Sequence, residues 1–128
     1  MQQPVNSPIQ NKIGRVFVPV TDIDRAIQWY SKLLGLPITT TSHGGTIYDL
    51  QMAGETGLIL DATKKGVQNS SQPLFFFLTE DIQAAHDFLE RNEVEILSQI
   101  EDIGSVSFLI FKDPDNNLLM VCQPNRLG

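Results

Sequence analysis

The side chains best suited to chemistry are few, and they are scattered along the chain. Arg15 stands near the start of a strand-like run, Ile13 to Val20. A guanidinium is a rigid fork of donors that matches a carboxylate or another polar oxygen. Arg15 therefore reads either as a surface residue at a strand edge or as a ligand-pairing cation on a cavity wall. Asp61 ends a second apolar run and is its only acid. Tyr48 and Asp49 are consecutive on one strand, so at most one of them faces a pocket. His43 sits beside Gly44-Gly45 and reads as a loop histidine, and His86 falls on the polar side of a helix. Lys64-Lys65 has no glycine-rich phosphate cradle beside it. Cys122 has no neighbour in sequence that would lower its pKa, and no nucleophile–base pair stands out. Phe17, Leu74, Phe76 and Met120 suit either ordinary core or the greasy wall of a small-molecule site.

Size and charge narrow the classes. The chain has 128 residues, 41% of them hydrophobic and 19% charged, which fits one domain or two fused half-domains. A net charge of −6 argues against nucleic acid or an anionic membrane as partner and is compatible with a cationic ligand. One cysteine allows no intramolecular disulfide and no Cys-x-x-Cys zinc or redox pair. No signal peptide and no apolar run near ~20 residues can be read, so a reducing, cytoplasmic setting is expected. The Asn69-Ser70-Ser71 sequon has no secretion signal to give it meaning.

These residues must be carried by a repeated set of elements. Residues 1–12, rich in Gln, Asn and Pro, read as a loose tail. A strand over Ile13–Val20 leads to a helix with Thr21 as N-cap and Asp22 and Asp24 in its first turn. Ile23, Ala26, Ile27, Tyr30 and Leu34 form its buried stripe, with Trp29 off that stripe as a rim residue or a cover for a second subunit. Gly35 stops the helix in a left-handed cap and Pro37 prevents restart. Short strands are expected near Leu36–Thr41, Thr46–Met52 and Leu58–Asp61, and a polar loop over 62–73. The pattern then repeats: a strand at Leu74–Leu78, a helix opened by Thr79-Glu80-Asp81, and a left-handed stop at Asn92. The helix stripe is Ile82, Ala85, Phe88 and Leu89, and strands follow near Val94–Leu97, Gly104–Phe111 and Asn117–Gln123. The reading is one domain over 13–123, with module one at 13–61, module two at 74–123 and a short tail at 124–128. A repeat of half the chain points to a pseudo-twofold α+β domain.

The last strand is announced by Phe111-Lys112-Asp113-Pro114-Asp115-Asn116-Asn117. Pro114 suits the second position of a β-turn, and the Asp and Asn residues bond their own backbone or tolerate a left-handed conformation. Past the turn, Leu118, Met120 and Cys122 alternate with Leu119 and Val121. Both faces are apolar, so the strand should be covered on both sides.

The stretch from Val16 to Pro37 resembles the opening of the vicinal oxygen chelate superfamily, which includes glyoxalases, bleomycin-resistance proteins and extradiol dioxygenases. The stretch from Phe111 to Gln123 is similar to its closing motif, F-x-D-P-D-G-N with a glutamate on the next strand, although Asn116 stands where glycine is usual. The resemblance implies an α+β fold of paired βαβββ modules, curved mixed sheets around a concave pocket and helices outside. It also implies one divalent metal held by His, Gln or Glu from matching strands. Those positions fall on Arg15, Leu74 and Met120, with a fourth near Asp61. The leading expectation is therefore a metal-independent small-molecule-binding protein of the bleomycin-resistance kind, acting by sequestration, without metal or other cofactor. Arg15, Phe17, Tyr48, Asp61, Leu74, Phe76 and Met120 are its candidate ligand contacts, and a homodimer is expected because homologues often dimerise. The alternative is a glyoxalase-like lyase or isomerase with an atypical metal set from Asp61, His43 or a partner subunit. A third reading is an interaction module with no ligand.

Overall fold

A computed structural model describes residues 7–39, 45–63 and 72–125. His43, Lys64-Lys65 and the Asn69 sequon lie outside the described residues. The order is β1 (Arg15–Pro19), α1 (Ile23–Leu34), β2 (Ile47–Leu50), β3 (Gly57–Asp61), β4 (Phe76–Leu78), α2 (Ile82–Arg91), β5 (Glu101–Asp102), β6 (Val106–Lys112) and β7 (Leu118–Pro124). One sheet has the order β1-β3-β2 and the other β4-β7-β6-β5. In each, the strand before the helix runs parallel to its neighbour, and the remaining pairs are antiparallel. The architecture is the α+β arrangement expected.

Period-two alternation decides which face each helix covers. Val18, Tyr48, Leu50, Leu58 and Leu60 are buried with Ala26, Ile27 and Tyr30 of α1. Leu109, Phe111, Leu119 and Val121 are buried with Ile82 and Leu89 of α2. Trp29, expected at a rim or a subunit contact, is half-buried within the chain, its ring centroid 4.7 Å from Tyr30 and 6.4 Å from Phe111. The last strand is not sealed on both faces. Leu119 and Val121 are buried, but Leu118 and Met120 stay half-exposed.

Several local expectations shift, each because a side chain takes over a backbone role. Asp22, not Thr21, caps α1, its carboxylate accepting from the Arg25 N–H at 3.1 Å. Thr21 is instead drawn toward Asp115. Asp81 caps α2 in the same way, accepting from the Ala84 N–H. At the end of α2 the left-handed residue is Glu93 (φ 59°), one place beyond Asn92. The Asn92 side-chain amide donates to the Phe88 carbonyl at 2.8 Å and closes the last turn itself. Residues 36–39, the described part of the expected Leu36–Thr41 strand, form no strand. Pro37 lacks an N–H, and the Thr39 N–H donates to the Tyr48 hydroxyl rather than to a ladder. Val94–Leu97 is reduced to one bridge, Ile96 to Phe111, because the Ser98 hydroxyl accepts the Ile110 N–H a carbonyl would otherwise take.

The two modules are tied through the β6–β7 turn. The Asn116 N–H donates to the Asp113 carbonyl at 3.1 Å with Pro114 at the second position, and Asn116 adopts φ 66°. Buried Asp113 accepts four hydrogen bonds. The N–H groups of Asp115 and Asn117 reach one oxygen, each at 2.8 Å. The Tyr30 hydroxyl (2.6 Å) and the Asn117 amide (2.8 Å) reach the other. The Asn117 amide also donates to the Pro19 carbonyl at 2.8 Å, at the end of β1. Buried Asp115 pairs with Arg25 of α1 at 2.9 Å and accepts from the N–H and hydroxyl of Thr21.

Truncating Asp113 to alanine strands four buried donors at once. Urea unfolding should show a loss of about 3 kcal/mol or more. Burial first, and the Asp113 carboxylate second, hold the Tyr30 hydroxyl well above its ordinary pKa of 10.0. The folded chain then keeps a proton that the unfolded chain releases. The linked stability is intact below that pH and is lost as the pH rises beyond it. Tyr30→Phe should flatten the alkaline fall of the urea midpoint between about pH 9 and about pH 11.

Candidate functional site

Opposite the helices, each sheet leaves one face uncovered by its own helix. Partners in the ladder share a face, so Arg15 and Gly57, Phe17 and Ile59, and Pro19 and Asp61 stand side by side on the open face of the first sheet. Asp49 joins them opposite Ile59. Tyr48, expected as a ligand contact, points the other way. It is 2% exposed in the core, and its hydroxyl is satisfied by Thr39. On the second sheet Phe76 pairs with Met120 and Leu78 with Cys122. Leu74 precedes them by one pleat, its N–H donating to the Leu118 carbonyl at 3.0 Å. Cys122 is buried, and that burial pushes its thiol up.

The register settles a position that spacing left open. Arg15 and Leu74 stand at equal offsets before the helix caps Asp22 and Asp81. Phe17 therefore corresponds to Phe76, and Ile59, the partner of Phe17, corresponds to Met120. The four positions that the resemblance assigns to metal ligands are thus Arg15, Ile59, Leu74 and Met120. Asp61 lies two residues past Ile59 and accepts from the Thr63 N–H at 2.9 Å. A guanidinium, two aliphatic chains and a thioether do not form the oxygen and nitrogen donor set a hard or borderline divalent ion requires. Among the described residues no three His, Cys, Asp or Glu side chains converge. The side chains present do not fit the superfamily's metal.

Arg15 has a built seat. Its Nε and Nη2 both lie 3.0 Å from one Asp49 carboxylate oxygen. Its stem lies over Gly57, where an added Cβ would come within 3.0 Å of the Arg15 Cγ. This ion pair lines a hollow of about 330 Å³ with Gln51, Met52, Glu55 and Gly57.

An apolar cleft of about 540 Å³ lies between the modules. Val16, Leu36, Met52 and Leu58 wall one side, and Phe75, Phe76 and Phe77 the other. It continues past Leu34, Phe77 and Leu78 into a smaller hollow of about 220 Å³ against Phe88 and Phe111. The structure therefore does not gather the expected site into one cavity. Phe76 lines the cleft, Arg15 lines the polar hollow, and Phe17, Asp61 and Met120 stay on the open faces. Val16, Met52 and Phe75 line the cleft and were not among the expected contacts. Phe75-Phe76-Phe77 was the available signal: Phe75 directly precedes β4 and Phe76 and Phe77 open it, and one helix cannot cover three consecutive aromatics.

Gly57→Ala should push Arg15 off Asp49 while changing stability by no more than about 1 kcal/mol, since the pair is half-exposed. A crystal structure of the variant with the pair unmoved would show that Gly57 does not seat Arg15.

Comparison with known proteins agrees with this geometry. A curated relative, uncharacterized protein YraH of Bacillus subtilis (strain 168), is 25% identical over 123 residues, covering 86% of this chain and 96% of that protein. Among solved structures, TnmS3, an antibiotic binding protein from Streptomyces sp. CB03234, superposes with a TM-score of 0.77 at 20% identity, covering 94% of this chain and all of that one. Lactoylglutathione lyase from Agrobacterium tumefaciens gives 0.70 at 16% identity, covering 90% and 95%. At these identities the structural neighbours speak for the fold alone. The model of the Glyoxalase/Bleomycin resistance protein/Dioxygenase superfamily matches residues 12–121, and the chain belongs to that family.

Proposed function

We propose that this chain is a metal-independent small-molecule-binding protein that acts by sequestration in a reducing, cytoplasmic setting, with no cofactor. The observation that carries the reading is the replacement of all four superfamily ligand positions by Arg15, Ile59, Leu74 and Met120, beside an apolar cleft of about 540 Å³. That volume lies in the range of drug-sized ligand sites, and such sites are mostly apolar with a few polar groups. An antibiotic binding protein among the structural neighbours supports the same class.

A homodimer completes the proposal. Phe17 (57%), Phe76 (55%) and Leu78 (72%) are exposed to an extent unusual for large apolar side chains, and β1 and β4 are the outer strands of their sheets. A second copy would cover these faces and blunt those edges.

Elemental analysis of protein purified without chelator should find no stoichiometric metal, and Ni²⁺, Zn²⁺, Mn²⁺ and Fe²⁺ should leave the melting temperature unchanged. A panel of planar apolar compounds, polycyclic antibiotics included, should raise it. Stoichiometric metal, or turnover of a hemithioacetal, would overturn the reading in favour of a lyase or isomerase. Sedimentation should return twice the chain mass, and a monomer would remove the dimer from the proposal.

A further inference from the structure

The polar hollow and the apolar cleft are adjacent, with Gln51, Met52 and Gly57 lining both. Their contents differ sharply. The cleft offers Phe75, Phe76, Phe77 and Met52. The hollow offers one cation, Arg15, and two carboxylates, Asp49 and Glu55. Arg15 uses Nε and Nη2 on a single Asp49 oxygen, so its Nη1 side is directed away from that bond. Glu55 is exposed, and among the described residues no hydrogen bond or ion pair engages it.

We propose that the two hollows together take an amphiphile, an apolar or aromatic body seated in the cleft with a zwitterionic head at Arg15, Asp49 and Glu55. The proposal deepens the small-molecule-binding reading and rests on it. A purely anionic head would meet Arg15 but also two carboxylates. A purely cationic head would meet those carboxylates beside a fixed guanidinium. A carboxylate and an ammonium on one carbon answer both signs at once, the carboxylate on the outer edge of Arg15 and the ammonium between Asp49 and Glu55. The same head reconciles two opposed features, a net charge of −6 and an arginine at the site. Gly57 serves both hollows, admitting the Arg15 stem at the point where the head would meet the body.

Four indoles separate the terms: tryptophan (both charges), tryptamine (ammonium only), indole-3-propionate (carboxylate only) and indole (neither). In calorimetric titration at low salt, tryptophan should bind about fivefold tighter than either singly charged analogue, the scale of one half-exposed charge pair. Arg15→Gln should erase its advantage over tryptamine. Glu55→Gln should reduce its advantage over indole-3-propionate and leave the advantage over tryptamine intact. Equal binding of indole and tryptophan, or variants that preserve the whole ranking, would overturn the head-group assignment while leaving apolar binding in place. If the indoles fail but the planar compounds bind, the assignment also falls and the broader reading stands. Failure of indoles and planar compounds alike removes both.

Discussion

The Asp113 carboxylate is the constraint on which the rest of the structure depends. A buried charge is tolerated only when its lone pairs are answered, and here four donors answer them. Two come from the backbone of its own turn, one from Asn117 and one from Tyr30 in the other module. The turn is therefore shaped by the same group that holds α1 against β6 and β7. Asn117 extends the contact to the Pro19 carbonyl, and Asp115 extends it to Thr21 and Arg25. An apolar contact between modules would permit sliding. A set of directional bonds to one carboxylate permits only one alignment of β1 and α1 against β7.

That alignment decides where open surface remains. With α1 tied to the turn through Tyr30 and Arg25, Trp29 of α1 comes to 6.4 Å from Phe111 of β6, and the modules meet there. The cleft lined by Val16, Leu58 and the Phe75–Phe77 run remains between them. The open faces carry Arg15, Phe17 and Asp49 on one sheet and Met120 on the other, while Phe76 and Leu78 also line the cleft. Phe17, Phe76 and Leu78, all large and apolar, are more than half exposed on these strands. The cleft and the open faces are products of one placement and do not vary independently.

Much of this was legible in the sequence, and the failures share a cause. The repeat, both helices and the closing turn are local signals. They rest on apolar spacing, Asp22 and Asp81 at equal offsets, and a proline followed by Asn116. Faces alternate along the long strands as expected, although Leu118 and Met120 of the last strand, expected to be covered, stay half-exposed. What misled were positions where a distant side chain overrode a local preference. Thr21 would cap α1 but is taken by Asp115, ninety-four residues away. Leu36–Thr41 reads as a strand, but at its described residues the Tyr48 hydroxyl captures the Thr39 N–H. Tyr48 itself looked like a pocket residue because parity alone cannot say which face is core. The Asp49–Arg15 pair, across 34 residues, resolves that choice only once register is known.

The register also bears on how the metal positions came to differ from the superfamily pattern. Simple decay of a metal site would replace its ligands one by one and require nothing of their neighbours. The side chains around Arg15 are instead matched to it. Its ladder partner is Gly57, the residue whose missing Cβ leaves room for the arginine stem. Across β3 stands Asp49, paired with it at 3.0 Å. An unpaired arginine would need neither. At the three remaining positions Ile59, Leu74 and Met120 are all apolar, where random loss would bring polar residues at least as readily to a half-open face. A guanidinium held by a carboxylate over a glycine, with apolar residues at the other three positions, is not a donor set for a divalent ion. The turn around Asp113 makes its bonds without drawing on any of these four positions.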